Sequence, residues 1–106
     1  MSSNSKLVTV VISVAIKSGK MEIVKQALIA VIKTVIEQEK DCQGIEVYND
    51  TKKSQCLLII EKWTSEEVFL GPHMQTPHMV AFMKIAGTFV DGEAEFTFWN
   101  EILSMA

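Results

Sequence analysis

The stretch Gln55–Trp63, QCLLIIEKW, decides the fold because it is apolar on both sides of an extended chain. Successive side chains of a strand point to opposite faces of the sheet, so Leu57 and Ile59 need cover on one face. Leu58 and Ile60 need cover on the other face. One layer of helices covers only one face of the sheet, so something else must cover the second face. An exposed apolar face of this kind usually marks an interface with another protein.

The residues around this strand predict three more strands and three helices. Runs of β-branched residues indicate strands, and apolar residues at helical spacing indicate amphipathic helices. The predicted elements are a buried strand at 7–16, a helix from 21 to about 40, a hairpin of strands at 45–48 and 55–63, short helices after Thr64 and Thr76, and a last strand reaching Ile102. Such an order makes a ferredoxin-like α+β sandwich, with a four-stranded antiparallel sheet and helices on one face. A two-fold pairing of the uncovered faces would then form a homodimer.

Turn and cap signals predict where these elements end. The segment Asp41–Gly44 has the composition of a turn, with a glycine able to adopt a positive φ. Thr64 followed by Glu67 has capping-box spacing and predicts the start of the first short helix. The segment Gly87–Gly92 is predicted to be a loop before the last strand.

The composition fits one small domain, with 106 residues, of which 48% are hydrophobic and 22% charged. We expect a disordered tail at Met1–Ser5 and a single domain over residues 6–106. The net charge of −3 and the scattered basic residues argue against a nucleic-acid partner. The apolar runs are too short or too interrupted for a membrane span, and the first residues do not resemble a secretory signal, so the sequence predicts a cytoplasmic protein.

Two histidines stand out in the run Gly71–Phe82, GPHMQTPHMVAF. His73 and His78 are five residues apart, which is not the spacing that places two imidazoles on one metal ion, so no metal site is expected. His78 lies at the start of a predicted helix, where the helix dipole favours a neutral ring suited to proton transfer. The alternative is a histidine that is simply packed for shape at a helix start.

Glu61 and Trp63 are two residues apart on a strand and therefore share a face. Trp63 could form one wall of a pocket for a flat substrate, with Met79, Phe82 and Met83 opposite it. The alternative is an ordinary core tryptophan, because methionine and aromatic residues at helical spacing more often pack a core. The sequence has no glycine-rich phosphate loop, which argues against a nucleotide cofactor.

The run Glu61–Phe82, EKWTSEEVFLGPHMQTPHMVAF, resembles the signature of the antibiotic biosynthesis monooxygenase family, and its HMQTPHM segment is similar to that of quinol monooxygenases. The resemblance extends to the Lys17–Lys20 turn and to Cys42, and so covers nearly the whole chain. The matching positions within the run are Glu61, Trp63, Ser65, Glu66, His73, Thr76, Pro77, His78 and Phe82.

The resemblance implies a dimeric α/β barrel of ferredoxin-like subunits, each with a pocket between helices and sheet. It also implies oxidation of a small quinol or phenol-like aromatic substrate by O₂ without a cofactor, with His78 as the first choice for proton transfer and His73 as a polar contact. Trp63 and Phe82 would be pocket walls. A non-oxygenase small-molecule binder or an isomerase on the same fold is the alternative function.

The sequence departs from the family pattern in two places. Asp41 precedes Cys42, where family members often have glycine, and this affects the expected pocket rim. The positions that carry the haem-degrading residues of one branch hold Ile12, Pro72 and Phe82, so haem degradation is not supported.

Overall fold

The computed structural model describes residues 7–106, so the tail predicted at Met1–Ser5 lies outside the described residues. Four strands and three α-helices make up the described part of the chain. They are β1 (Val8–Ile16), α1 (Met21–Gln38), β2 (Cys42–Asn49), β3 (Cys56–Trp63), α2 (Glu66–Leu70), α3 (Pro77–Phe89) and β4 (Val90–Trp99), with one 3-10 turn at His73–Gln75 between α2 and α3.

The strands form one antiparallel sheet in the order β2-β3-β1-β4, which confirms the predicted ferredoxin-like topology. The core lies on one side of it. In β1 the buried side chains alternate, as with Val10 and Ile12, and they pack against Val24 and Val35 of α1. Burying a side chain of this size contributes about 1.5–3 kcal/mol, so this layer stabilises the site described below.

The opposite face of the sheet is not covered by any described helix. Leu58 and Ile60 point there, as predicted, and are only half-buried. Val11 of β1 lies directly beside Ile60, whereas Ser13 is paired with Leu58 and is exposed. The predicted apolar face is therefore present as an apolar strip, and exposed Ser13 lies within the same face.

The predicted turn at Asp41–Gly44 is wrong, because β2 already begins at Cys42. Its pairing with β3 shifts between Cys42 and Gly44, where one extra residue, Gln43, makes a β-bulge. The pairing of Cys42 with Trp63 in the sheet outweighs the preference of these residues for a turn. The connection from α1 therefore consists of three residues, 39–41.

The first short helix starts one residue later than the capping-box prediction. Ser65 is the N-cap, and its Oγ accepts a hydrogen bond from the backbone N–H of Val68 at 3.1 Å. The hydroxyl of Thr64 donates instead to Asp41 at 2.7 Å and so joins this end of β3 to the residues that follow α1. The Thr76 cap of α3 is confirmed, with its Oγ1 3.3 Å from the backbone nitrogen of Met79.

The predicted loop at Gly87–Gly92 is also wrong. Helix α3 continues to Phe89 and β4 follows directly at Val90. The one loop-like feature is a φ of 84° at Gly92, within β4. The strand ends at Trp99, so Ile102 lies beyond it and is 97% exposed, contrary to the prediction.

Candidate functional site

A cavity of about 330 Å³ lies between the helices and the covered face of the sheet. Its walls come from all three helices, the 3-10 turn and all four strands, so it is built by the core layer itself. Almost all of the lining is aliphatic, aromatic or thioether. The larger side chains around it include Ile12, Leu28, Ile59, Phe69, Met74, Met79, Phe82, Met83 and Phe96.

Among the described residues, the titratable side chains that line this cavity are Glu61 and His73. Both are buried in the chain, with 8% and 2% exposure respectively. Apolar pockets with a small number of convergent polar groups are the usual form of small-molecule sites. The cavity therefore has an apolar body and two polar side chains in its wall.

The carboxylate of Glu39 contacts the rings of both histidines of the chain. The Nδ1 atom of His73 lies 2.9 and 3.0 Å from the two carboxylate oxygens of Glu39. The Nε2 atom of His78 lies 2.6 Å from the second of these oxygens. Glu39 follows the last residue of α1, and the histidines come from the 3-10 turn and from α3, so three parts of the chain meet at this carboxylate.

The second ring nitrogen of His73, Nε2, has no hydrogen-bond partner within residues 7–106. No side-chain nitrogen or oxygen in that part of the chain is both fully buried and without a partner, so Nε2 retains some accessible surface. Because His73 lines the cavity, we infer that this surface faces it. Burial lowers the pKa of this imidazole, the hydrogen bond and charge of Glu39 partly oppose that effect, and His78 lowers the pKa further. The ring is therefore held neutral near pH 7.

The pKa of the Glu61 carboxyl group is shifted in the other direction, upward. Burial raises its pKa, a hydrogen bond from the indole N–H of Trp63 at 2.8 Å opposes this, and the charge of Glu39 adds to the increase. The raised pKa extends to higher pH the range over which this carboxyl group is protonated and able to donate a hydrogen bond. The cavity wall thus has a neutral base and a carboxyl group with a raised pKa.

The structure brings five of the seven predicted site residues to the cavity: Glu61, His73, Met79, Phe82 and Met83. Trp63 and His78 are not part of its lining. Trp63 is fully buried behind His73, with ring centroids 4.3 Å apart. His78 contacts the site only through Glu39.

Sequence reasoning missed Glu39, although one signal was available. A negative charge at the C-terminal end of a helix is unfavourable because of the helix dipole, and α1 has no basic residue in its last turn. An acidic residue in that position therefore needs a partner from elsewhere in the fold. Its partners are 34 and 39 residues away, which sequence spacing does not reveal.

We expect the margin in free energy of unfolding between Glu61→Gln and the parent to shift in favour of the variant as the pH rises from about 4 toward neutral. Since the folded-state pKa of Glu61 is raised, the unfolded chain ionises first, near the ordinary value of about 4.3, and the folded protein then loses stability as the pH increases. Glutamine cannot ionise, but its amide oxygen still accepts the Trp63 hydrogen bond.

Urea unfolding from pH 4 to pH 8 would measure this margin. The exposed residue Glu37 gives the matched control, Glu37→Gln, for which the margin should stay flat. A margin for Glu61→Gln that stays constant or shrinks with rising pH would contradict the raised pKa.

Two further findings concern metals and membranes. Residues 7–106 contain no cluster of three or more histidine, cysteine, aspartate or glutamate side chains arranged to hold a metal ion. Over the same residues, no helix combines the length and the apolarity that crossing a bilayer requires.

Comparison with protein families gives a match over most of the chain. The family model of the antibiotic biosynthesis monooxygenases matches residues 7–85. No curated protein sequence matches the chain significantly.

Solved structures match the fold closely and the sequence weakly. A conserved protein from Methanosarcina mazei Go1 has a TM-score of 0.83 at 19% identity, over 93% of this chain and 96% of that one. A candidate antibiotic biosynthesis monooxygenase from Nitrosomonas europaea has a TM-score of 0.85 at 11% identity, over 96% of each chain. Another from Caulobacter crescentus CB15 has a TM-score of 0.85 at 14% identity, over 93% of this chain and 92% of that one. At these identities the likeness shows the fold alone.

Proposed function

We propose that this chain, which belongs to the antibiotic biosynthesis monooxygenase family, oxidises a small quinol or phenol-like aromatic substrate with O₂ and without a bound cofactor. The observation that carries the proposal is the apolar cavity of about 330 Å³ with the neutral His73 ring in its wall. The family match supports a monooxygenase-like role in general. The substrate class and the use of O₂ are the additional steps that we propose.

The size and lining of the cavity suit an aromatic ring. An engineered apolar cavity of about 150 Å³ binds benzene, and this one has about 330 Å³. It can therefore hold a substituted ring or two fused rings. Met74, Met79 and Met83 bring thioether sulfurs to the wall, and sulfur makes favourable contacts with aromatic ring edges.

Deprotonation of the substrate is the step that the protein assists. The Nε2 atom of His73 accepts the hydroxyl proton of the quinol or phenol, which leaves an electron-rich anion in an apolar site. That anion gives one electron to O₂, and the resulting radical pair combines to a ring peroxide anion, which takes back the proton held on His73 and becomes the hydroperoxide. The hydroperoxide then loses water, formed from its terminal OH group and the hydrogen on the same ring carbon, and gives the quinone, so that one oxygen atom enters the product and the other leaves as water.

The other predicted residues support this step from their positions. Glu61, in its protonated form, can donate a hydrogen bond to a second oxygen of the substrate. Phe82 packs against the ring from α3. The His78 side chain, our first choice from sequence, acts through Glu39 rather than on the substrate. The apolar lining limits the water around the substrate, which protects the radical intermediates.

An isomerase of a small metabolite is the second candidate function. The base His73 and the acid Glu61 in one cavity wall could move a proton between a carbon and an oxygen atom without using O₂. Such a reaction needs both groups, whereas the oxidation that we propose needs mainly the base. The two functions are therefore separable by their dependence on O₂.

Oxygen consumption with a panel of quinols and phenols tests the proposal. The protein, freed of metal ions and flavin, is incubated with benzene and naphthalene diols under air, and we expect one O₂ consumed per substrate, above the rate of substrate autoxidation. Product masses should show one added oxygen atom from ¹⁸O₂. Substrate conversion that continues unchanged under nitrogen would instead support the isomerase, and binding without any conversion would support a non-catalytic binder.

The active unit that we propose is a homodimer. The apolar strip of Val11, Leu58 and Ile60 is half-buried in one subunit, on the sheet face that no described helix covers. A small domain gains stability by covering such a strip, and a two-fold pairing places it against itself. The cavity lies on the other face, so each subunit would retain its own site.

A further inference from the structure

We propose that Glu39 is a positioning residue that holds the proton of His73 on Nδ1 and thereby keeps Nε2 as the proton acceptor toward the cavity. The assignment rests on the proposed function, because the acceptor is the group that deprotonates the substrate. His78 is part of the same arrangement, since its ring, from α3, also binds the carboxylate of Glu39. Neither the family match nor the similar structures assign a part to Glu39.

The direction of the hydrogen bonds follows from the chemistry of the groups. An ionised carboxylate can only accept, so the nitrogen within 3.0 Å of it must carry the hydrogen. A neutral imidazole has one N–H, which places it on Nδ1 of His73 and leaves a lone pair on Nε2. The same argument places a hydrogen on Nε2 of His78, which lies 2.6 Å from Glu39.

The backbone fixes where this carboxylate lies. The N–H of Glu39 donates to the carbonyl of Val35 at 2.8 Å, and its own carbonyl accepts from Cys42 at 3.1 Å. The neighbouring Asp41 is held by two hydrogen bonds from Thr64, one from the hydroxyl at 2.7 Å and one from the backbone N–H at 3.0 Å. Glu39 therefore lies between the end of α1 and the start of β2 with little freedom to move away from His73.

The ring of His73 is held on its faces by aromatic neighbours. Trp63 lies at a centroid distance of 4.3 Å and Phe69 at 5.2 Å, and the latter ring is stacked on the imidazole. Packing of this kind fixes the plane of the ring but does not choose between its two tautomers. Glu39 makes that choice, because a carboxylate accepts from N–H and repels a lone pair.

The groups that act directly on His73 are Glu39, which follows α1, and His78 on α3. The charge of Glu39 also acts on Cys42 of β2 and on Glu61 of β3. Of the direct contributions to its pKa, the hydrogen bond and the charge of Glu39 raise the value, while burial and His78 lower it. Removing the charge of Glu39 should therefore lower the pKa of His73 further.

Nuclear magnetic resonance of the imidazole nitrogens tests the assignment directly. The 106-residue chain has two histidines, so ¹⁵N-histidine labelling of this chain without a histidine tag gives two ring systems, and His78→Gln assigns them. At pH 7.5 we expect His73 in the Nδ1–H form. In Glu39→Gln we expect a mixture with the Nε2–H form, because the amide group can donate to Nδ1. Glu37→Gln, an exposed site on α1, is the matched control.

Kinetics with the best quinol of the panel give the second readout. Loss of the carboxylate partner of a metal-bound histidine lowers activity about 10- to 100-fold. By analogy we expect a loss of that order for Glu39→Gln, in kcat and with little change in KM. The acidic limb of its profile of kcat/KM against pH should move to lower pH. A purely structural role would lower the amount of folded enzyme without moving that limb.

The outcomes separate this inference from the proposed function. A His73 ring in the Nε2–H or cationic form in the parent protein overturns the inference, and this measurement needs no variant to fold. An unchanged tautomer and an unchanged acidic limb in Glu39→Gln also overturn it, even if quinols are oxidised. Suppose that His73 has the Nδ1–H form in the parent and loses it in Glu39→Gln, but that the protein oxidises no quinol or phenol of the panel. The positioning role of Glu39 is then supported, and the proposed function fails.

Discussion

Replacing His73 with glutamine is expected to lower kcat/KM for quinol oxidation by about 100- to 10,000-fold, the range typical for loss of a general base. Glutamine keeps a polar side chain that can still hydrogen bond to Glu39, but it cannot accept the substrate proton. The neutral state of the parent ring makes it a competent acceptor near pH 7, since burial lowers its pKa. Initial rates of O₂ consumption at several quinol concentrations, with autoxidation subtracted, measure the loss.

The variant His78→Gln is the matched control for this prediction. His78 carries the same functional group and contacts the same carboxylate, but its ring is not part of the cavity lining. We expect its effect to be much smaller than that of His73→Gln. Equal activity of the parent and His73→Gln would refute the mechanism, and a larger loss for His78→Gln would return proton transfer to the residue that the sequence favoured.

The sequence predicted the topology because its strand patterns are unambiguous. The two-sided apolar run around Leu58 and the alternation in β4 leave few alternative arrangements, and the Thr76–Pro77 pair marks a helix start by backbone geometry alone. The predictions that were wrong concern residues whose contacts with distant segments outweigh the preference of the local sequence. At Cys42 a neighbouring strand extends β2 into residues with turn composition, and at Thr64 a partner in another segment takes the hydroxyl that would have capped α2.

Sequence analysis could predict those residues of the site that belong to the family motif. The motif contains His73, Glu61 and Phe82, and all three line the cavity. His78 was favoured over His73 because it lies at a helix start, where the helix dipole favours a neutral ring. Which of the two rings lines the cavity depends on tertiary packing, which that argument does not include. Glu39 lies outside the motif, and its contacts to the histidines span more than 30 residues.

The substitution Leu58→Lys is expected to turn the proposed homodimer into a monomer at micromolar concentration. Leu58 lies on β3 between Ser13 of β1 and Tyr48 of β2, near the middle of the uncovered sheet face. Two-fold pairing would bring the two introduced ammonium groups into one desolvated interface, which costs several kcal/mol. Because each 1.4 kcal/mol changes an equilibrium constant tenfold, we expect the dissociation constant to rise by about 100-fold or more.

Sedimentation velocity over a range of concentrations measures the change. The variant Ile29→Lys is the control, since Ile29 is 68% exposed on α1, in the helical layer on the other side of the sheet. It should leave the dimer intact. A parent protein that sediments as a folded monomer at micromolar concentration would refute the pairing. The cavity, which lies between sheet and helices within one chain, would then have to function in a single subunit, and only the apolar strip would lack an explanation.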